Sequence, residues 1–375
     1  VLSVHVVAFL PPGSTNLNVQ LPVQTAGIIG IGLIYLETQH RRMSEVLLAQ
    51  ISSTLIINDK KVVNEGYQLA AGLALGYINL GKGDMMLSSH DSHIIDSLLS
   101  YGTSIRDIQT LKELDKSCSG AVMALMFMFL KTNTLEVAEK LSLPKTIQLL
   151  EYVRPDLLML RSLAKNMVMW NQIEPNKEFV ESQIPTCISK RHFIESINAL
   201  DTNILPYINI LSGELLSIAV CFASTANFDA KKTLLYYLDL LLSLSFLEPL
   251  NYDGKVALIG VRNARDVVIL GLSIIMAGTG DLDIMRRLRY LQGITDEYTK
   301  YGNYMATNMS LGFLFLGGGQ QAFNTNDNFA IAALITSIYP MFGSNNYEAL
   351  CDAEGKSSND CLLYTSPSPR DYAAS

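Results

Sequence analysis

Gly76-Tyr-Ile-Asn-Leu-Gly81-Lys-Gly83-Asp84 ends an apolar run in a small residue, a short apolar stretch and then a glycine-rich polar turn. The same phrase returns as Ser273-Ile-Ile-Met-Ala-Gly278-Thr-Gly280-Asp281 and as Gly312-Phe-Leu-Phe-Leu-Gly317-Gly-Gly319, with a weaker copy at Gly32-Leu-Ile-Tyr-Leu-Glu37. Aligned on the turn, the anchor position falls to Gly32, Gly76, Met126, Asn166, Ala219, Ser273 and Gly312. These lie about 40–54 residues apart, the length of a two-helix repeat. The turn position is then Glu37, Gly81, Lys131, Asn171, Ser224, Gly278 or Gly317, all short or polar, as a helix end requires. The unit around Asn166 is the most degenerate. In such proteins each unit hides its apolar face against the next, so the pattern predicts an all-α solenoid or toroid whose function lies in the surface it presents.

The glycines are read as structural repeat positions. A glycine inside a helix costs roughly 1 kcal/mol against alanine and needs a packing reason. Gly72 and Gly76 share a helix face, Ala26 and Gly30 repeat that spacing, and Gly32, Gly271 and Gly312 sit in corresponding helices. A neighbouring helix is expected to approach closely along these strips. Gly81, Gly83, Gly278, Gly280, Gly317 and Gly319 fall at helix ends, where left-handed backbone is expected, with Asp84 and Asp281 capping the next helix. Amphipathic second helices are predicted at 44–51, 135–141, 232–246 and 282–291, the last with Leu282, Met285, Leu288 and Leu291 inward. Residues 1–10 read as extended, and 85–116, 174–198 and 251–266 as loops or short helices. The domain reading is an N-terminal segment 1–22, about seven repeats over 23–353, and a tail 354–375.

Composition narrows the function classes. Of 375 residues, 49% are hydrophobic and 17% charged, so most helices are expected to be buried on more than one side. The net charge of −7 argues against nucleic acid, whose affinity rests on contacts from Lys and Arg to phosphate. Arg286, Arg287 and Arg289 read as a solvated helix face. Cys118, Cys187, Cys221, Cys351 and Cys361 form no C-x-x-C pair and suit a reducing compartment, with Cys221 as a small core residue. Apolar runs such as 26–36, 121–130 and 267–277 are about half the roughly 20 residues a membrane span needs. The longer run 204–223 carries Pro206 and Glu214. No membrane association and no signal peptide are expected. The absence of an initiator Met reads as a fragment, and Cys361-Leu-Leu-Tyr-Thr-Ser-Pro-Ser-Pro-Arg-Asp371 reads as non-native, adapter-like sequence.

Motifs that resemble chemistry fail on spacing. Gly27-Ile-Ile-Gly30-Ile-Gly32 lacks the G-x-G-x-x-G order, with Tyr35 where the last glycine belongs. Gly81-Lys82-Gly83 and Gly317-Gly318-Gly319 end helices where a phosphate loop would begin one. His90-Asp91-Ser92-His93 is the best metal candidate but has no further Cys or His nearby and reads as a polar loop. Trp170 reads as core. No catalytic, cofactor-binding or metal residues are assigned, and no cofactor is expected.

Ala71-Gly-Leu-Ala-Leu-Gly76-Tyr-Ile-Asn-Leu-Gly81 resembles the proteasome/cyclosome repeat, shared by the large non-ATPase subunits of the proteasome base and the largest scaffold subunits of the anaphase-promoting complex. Leu10-Pro-Pro-Gly-Ser-Thr-Asn-Leu-Asn-Val19, Phe129-Leu-Lys-Thr-Asn133, Val153-Arg-Pro-Asp156 and Leu311-Gly-Phe-Leu-Phe-Leu-Gly-Gly-Gly319 are similar to the second group. Met126, Asn166 and Ala219 depart from its glycine. The resemblance, over roughly residues 5–350, implies a ring of helix pairs in a non-enzymatic scaffold of a cullin–RING ubiquitin ligase. It implies as partners the cullin–RING module, tetratricopeptide-repeat subunits, the degron-binding subunit and a β-propeller coactivator, in nucleus and cytoplasm. A ubiquitin-receptor scaffold of the proteasome base is the alternative.

Overall fold

The computed structural model describes residues 21–338 apart from 53–54, 58–59, 63–64, 88–90, 104–118, 152, 189–199, 295, 297 and 300. The extended segment expected at 1–10 and the tail 354–375 lie outside the described residues. In chain order the helices are α1 (Leu21–Ile34), α2 (Arg41–Ile51), α3 (Glu65–Ile78), α4 (Gly83–Leu87), α5 (Ser92–Thr103), α6 (Ser119–Met128), α7 (Leu135–Leu141) and α8 (Ile147–Glu151). They continue as α9 (Pro155–Val168), α10 (Lys177–Gln183), α11 (Leu205–Cys221), α12 (Phe228–Ser245), α13 (Tyr252–Ile275), α14 (Leu282–Gln292), α15 (Tyr301–Leu314) and α16 (Asn328–Ile338). A short antiparallel hairpin, β1 (Leu55–Ile57) and β2 (Lys60–Val62), joins the first two units, an element absent from the sequence-based expectation.

The molecule is an all-α helical repeat solenoid. The first helices of the units, α1, α3, α6, α9, α11, α13 and α15, stack side by side in chain order. Each second helix lies on the first helix of the following unit: α2 on α3, α5 on α6, α7 on α9, α12 on α13, α14 on α15. A first helix inside the stack, such as α6, is therefore flanked on two sides and covered on a third, which leaves it no polar face. Every residue of α6 is buried, as is the run from Leu211 to Val220 in α11. The segment 202–221 is the one helix among the described residues long and apolar enough to cross a membrane, and it is mostly buried between α9 and α13.

Close helix approach explains most of the glycine strip. A Cβ on Gly72 would stand 2.0 Å from the Gly120 carbonyl oxygen, one on Gly32 2.5 Å from Ala74 Cα, and one on Gly76 2.8 Å from Phe127 Cβ. A Cβ on Gly271 would meet Ala219 Cβ at 2.9 Å. Gly312 departs from this: nothing lies within 4 Å of its added Cβ. Ala26 is exposed, so on α1 the contact runs through Gly32.

Other boundaries also shift. Residues 251–266, read as a connection, form the first part of the 24-residue α13, begun by Asn251, whose side chain accepts from Gly254 N at 2.7 Å. The stretch 85–116 carries α5, which packs on α6. On α14 the buried residues are Ile284, Leu288 and Leu291, while Leu282 is exposed and Met285 half-buried. The apolar face is one step round from the expected one, with Ile284, Leu288 and Leu291 sharing the side that packs on α15.

Candidate interaction surface along the repeat turns

Glu37, Gly81, Lys131, Ser224, Gly278 and Gly317 all have left-handed backbone, with φ from 55° to 73°. A second left-handed residue comes two positions later at Gln39, Asn133, Ala226, Gly280 and Gly319. Gly83 is the exception, because it opens α4, against the ring of Phe129. Asp84 likewise does not act as a cap; its carboxylate accepts from Thr134 Oγ1. Asp281 does cap, accepting from Asp283 N at 3.1 Å and Ile284 N at 3.2 Å.

The paired left-handed residues turn their amides onto the neighbouring unit. Glu37 N donates to Tyr77 O (3.0 Å) and Gln39 N to Ile78 O (3.0 Å); Gly81 N donates to Phe127 O (3.0 Å). Lys131 N and Asn133 N reach Met167 O (3.1 Å) and Val168 O (2.9 Å), and Ser224 N and Ala226 N reach Ile274 O (2.9 Å) and Ile275 O (3.1 Å). Gly278 N and Gly280 N reach Phe313 O (3.1 Å) and Leu314 O (3.0 Å). The accepting carbonyls come directly after each anchor, in the last turn of the helix, where they have no partner within it. Each turn thus caps the C-terminus of the next unit's helix, and a backbone ladder runs from unit to unit.

The degenerate unit breaks this ladder. After α9 the chain makes a 3-10 turn at Trp170–Gln172, and Asn171 N bonds back to Asn133 Oδ1 at 3.3 Å. The link forward is made by side chains. Asn166 Nδ2, at the anchor, donates to the Glu214 carboxylate and to Ser217 Oγ (2.9 Å) on α11. Burial pushes the Glu214 carboxyl up to about 7, against the stabilising hydrogen bond from Asn166. Arg161 links the unit backward instead, donating to the carbonyls of Leu141 and Ser142 at the end of α7.

After the last turn, residues 320–327 run back across the turns of earlier units. Gly278 faces the Gln321 carbonyl, Phe323 N donates to Ser224 Oγ at 2.7 Å, and the Lys131 ammonium donates to the Thr325 carbonyl. The Asn328 amide packs on Gly81, and on α16 Thr336 Oγ1 meets Tyr77 Oη at 2.7 Å. Rings close the seam, Phe313 with Phe323 at 5.3 Å and Tyr77 with Phe127 and Phe329 at 5.5 and 6.1 Å. Lys131 also lies 4.5 Å over the Trp170 ring. Burial lowers its pKa, opposed by the nearby Cys221 and Asp327, while burial pushes the Cys221 thiol up to about 11, so it stays protonated and unreactive at neutral pH.

The sequence marked Lys131 and Ser224 only as helix ends, and Glu214 only as a charge out of place in an apolar run. The signal for the strap was polarity without period across 320–327, next to the glycine triplet. His90 lies outside the described residues, while Ser92 and His93 open α5 and Asp91 pairs with Arg41 at 3.1 Å. Among the described residues no three His, Cys, Asp or Glu side chains converge. Arg287 is not simply solvated: it grips Asp239 on α12 with two hydrogen bonds of 3.0 Å.

A ladder of turns capped unit by unit belongs to a repeat architecture, and sequence comparison identifies which one. The family model described as the APC1 fifth domain matches residues 1–351. The chain belongs to this family. It is 42% identical over 355 residues to the "Negative regulator of mitosis" of Emericella nidulans, covering 93% of the chain and 17% of that protein. It is 42% identical over 341 residues to "Anaphase-promoting complex subunit 1" of Schizosaccharomyces pombe (91% of the chain, 23% of that protein). The human "Anaphase-promoting complex subunit 1" is 34% identical over 377 residues (92% and 19%). The chain therefore spans about a fifth of the length of these relatives. In this member of the family, the glycine phrase is the turn that caps the neighbouring unit.

Proposed function

We propose that this chain is a scaffold domain of an anaphase-promoting complex, the multisubunit cullin–RING ubiquitin ligase of mitosis, and performs no catalysis itself. The family match over residues 1–351 carries this reading. The turn ladder and the strap support it, since both serve to hold a curved surface in one shape. The partners are the cullin–RING module, the tetratricopeptide-repeat subunits, the degron-binding subunit and the β-propeller coactivator, in nucleus and cytoplasm; nucleic acid and membrane are not among them. The repeat domain spans 23–353, its glycine positions other than Gly83 and Gly312 serve helix contact and turn geometry, and 354–375 is non-native. Affinity purification of the full-length protein is expected to recover cullin, RING and tetratricopeptide subunits. Recovery of proteasome ATPases in their place would overturn the reading. The proteasome base, which shares the glycine phrase, is not favoured, because the family model and the relatives are of the cyclosome type.

A further inference from the structure

Lys131 and Ser224 take the left-handed backbone that Gly81, Gly278 and Gly317 take at the same place in other turns. Their amides bond to the next unit as the Gly81 and Gly278 amides do. What glycine could not supply is a side chain, and both side chains hold one segment. Ser224 Oγ accepts from Phe323 N at 2.7 Å, and the Lys131 ammonium donates to the Thr325 carbonyl. A side chain at a left-handed position costs the fold stability that glycine would not. Here both side chains grip main-chain groups of an extended segment, as a protein surface does when it takes up a peptide.

The segment itself shows what this rim accepts. Residues 321–327 form no helix or strand, and their side chains alternate: Phe323 and Thr325 are half-buried, while Ala322, Asn324 and Asn326 are exposed. The Phe323 ring stands edge-on to Phe313 at 5.3 Å, Asp327 acts on the Lys131 charge, and the Asn328 amide packs on Gly81. The ladder uses the amides of the turns and the strap uses their side chains, so the strap can lift without breaking a rung. We propose that the rim from Gly278 to Gly81 is a docking track for an extended peptide, which residues 321–328 plug from within the chain and from which they exchange with a segment of another polypeptide bearing an aromatic residue four places before an acid. A plug tethered at both ends competes at high effective concentration, so an outside peptide enters once the plug is weakened. The track does not rest on the scaffold reading above.

The test titrates a fluorescent peptide of residues 320–328 against the whole chain. Phe323→Gly weakens the plug, and that variant is expected to bind the peptide at least tenfold more tightly than the wild-type chain. In the Phe323→Gly background, Lys131→Met is expected to weaken binding about tenfold and Ser224→Ala about threefold. A peptide of the same composition in scrambled order is expected not to bind. Phe323→Ala opens the track more mildly and is read in the same way where the glycine variant does not fold. Equal binding to the wild-type and opened chains, or no saturable binding to the opened chain, overturns the docking track. So does binding that survives Lys131→Met and Ser224→Ala together, or a scrambled peptide that binds as tightly. A full-length protein that recovers no ligase subunit overturns the scaffold reading and leaves the titration result standing.

Discussion

Glu37, Gln39, Lys131, Asn133, Ser224 and Ala226 hold a backbone conformation that disfavours any side chain, because their amides must face the neighbouring unit's carbonyls. Glycine reaches the same φ without that penalty. Ala226, exposed and at φ 51°, has no side-chain contact that justifies the strain. Ala226→Gly is expected to stabilise the chain by about 0.5–1 kcal/mol in urea denaturation, and a loss of stability would contradict the role given to the turn. Glu214 is the second residue under strain, of a different kind. Its carboxyl titrates near 4.5 when unfolded and about 7 when buried, so the folded state holds its proton more tightly. The stability this gives is fully present below 4.5 and is lost as pH rises through about 7. Glu214→Gln is expected to leave the melting temperature at pH 4.5 nearly unchanged and to raise stability at pH 8 by about 2–3 kcal/mol. Melting curves across that range would show the wild-type slope surviving in the variant if the carboxyl does not titrate there.

The element scale is set by how closely first helices meet. At Gly72 an added methyl meets the backbone of α6, which cannot yield without moving the helix; at Gly76 it meets the side chain of Phe127; at Gly312 it meets open space. Alanine at these three positions is therefore expected to destabilise by about 3 kcal/mol, to destabilise by about 1–2 kcal/mol, and to stabilise by about 0.5–1 kcal/mol, in that order. Equal effects in equilibrium unfolding would mean that the strip has no packing role. The same comparison shows what was legible in the sequence. The turn-based alignment found every first helix, because a helix that is apolar on all sides and ends in a fixed turn leaves a signature along the chain. It misjudged Gly312, since a glycine's neighbour in space is not written beside it. It also missed the extent of α13, whose early turns carry Lys255, Arg262 and Arg265 and so break the apolar run. Asn166 shows the limit most clearly: as a degraded anchor it looked like noise, yet its amide meets Glu214, a residue distant in sequence that no local pattern connects to it.

At the scale of the molecule, the strap ties distant turns of the stack together. Phe323, at Ser224, and Asn328, at Gly81, are five residues apart in the strap, while the turns they meet are three units apart in the stack. A plain solenoid is coupled only between neighbours and opens one unit at a time. Here, hydrogen bonds from residues 323–336 to Ser224, Lys131 and Tyr77, and packing of Gln321 on Gly278 and Asn328 on Gly81, add links between units far apart in the chain. Native-state hydrogen exchange is expected to show the ladder amides of Lys131, Ser224 and Gly278 opening together, with a common free energy. Cutting the chain at a protease site introduced between Ala322 and Phe323 frees the contact at Gly278 from those at Ser224 and Lys131. After the cut Gly278, on the side of the terminal unit, is expected to exchange first, while Ser224 and Lys131 still open together. If the three open with different free energies in the intact chain, or still open together after the cut, the strap does not couple the units and the turn ladder alone holds the curve.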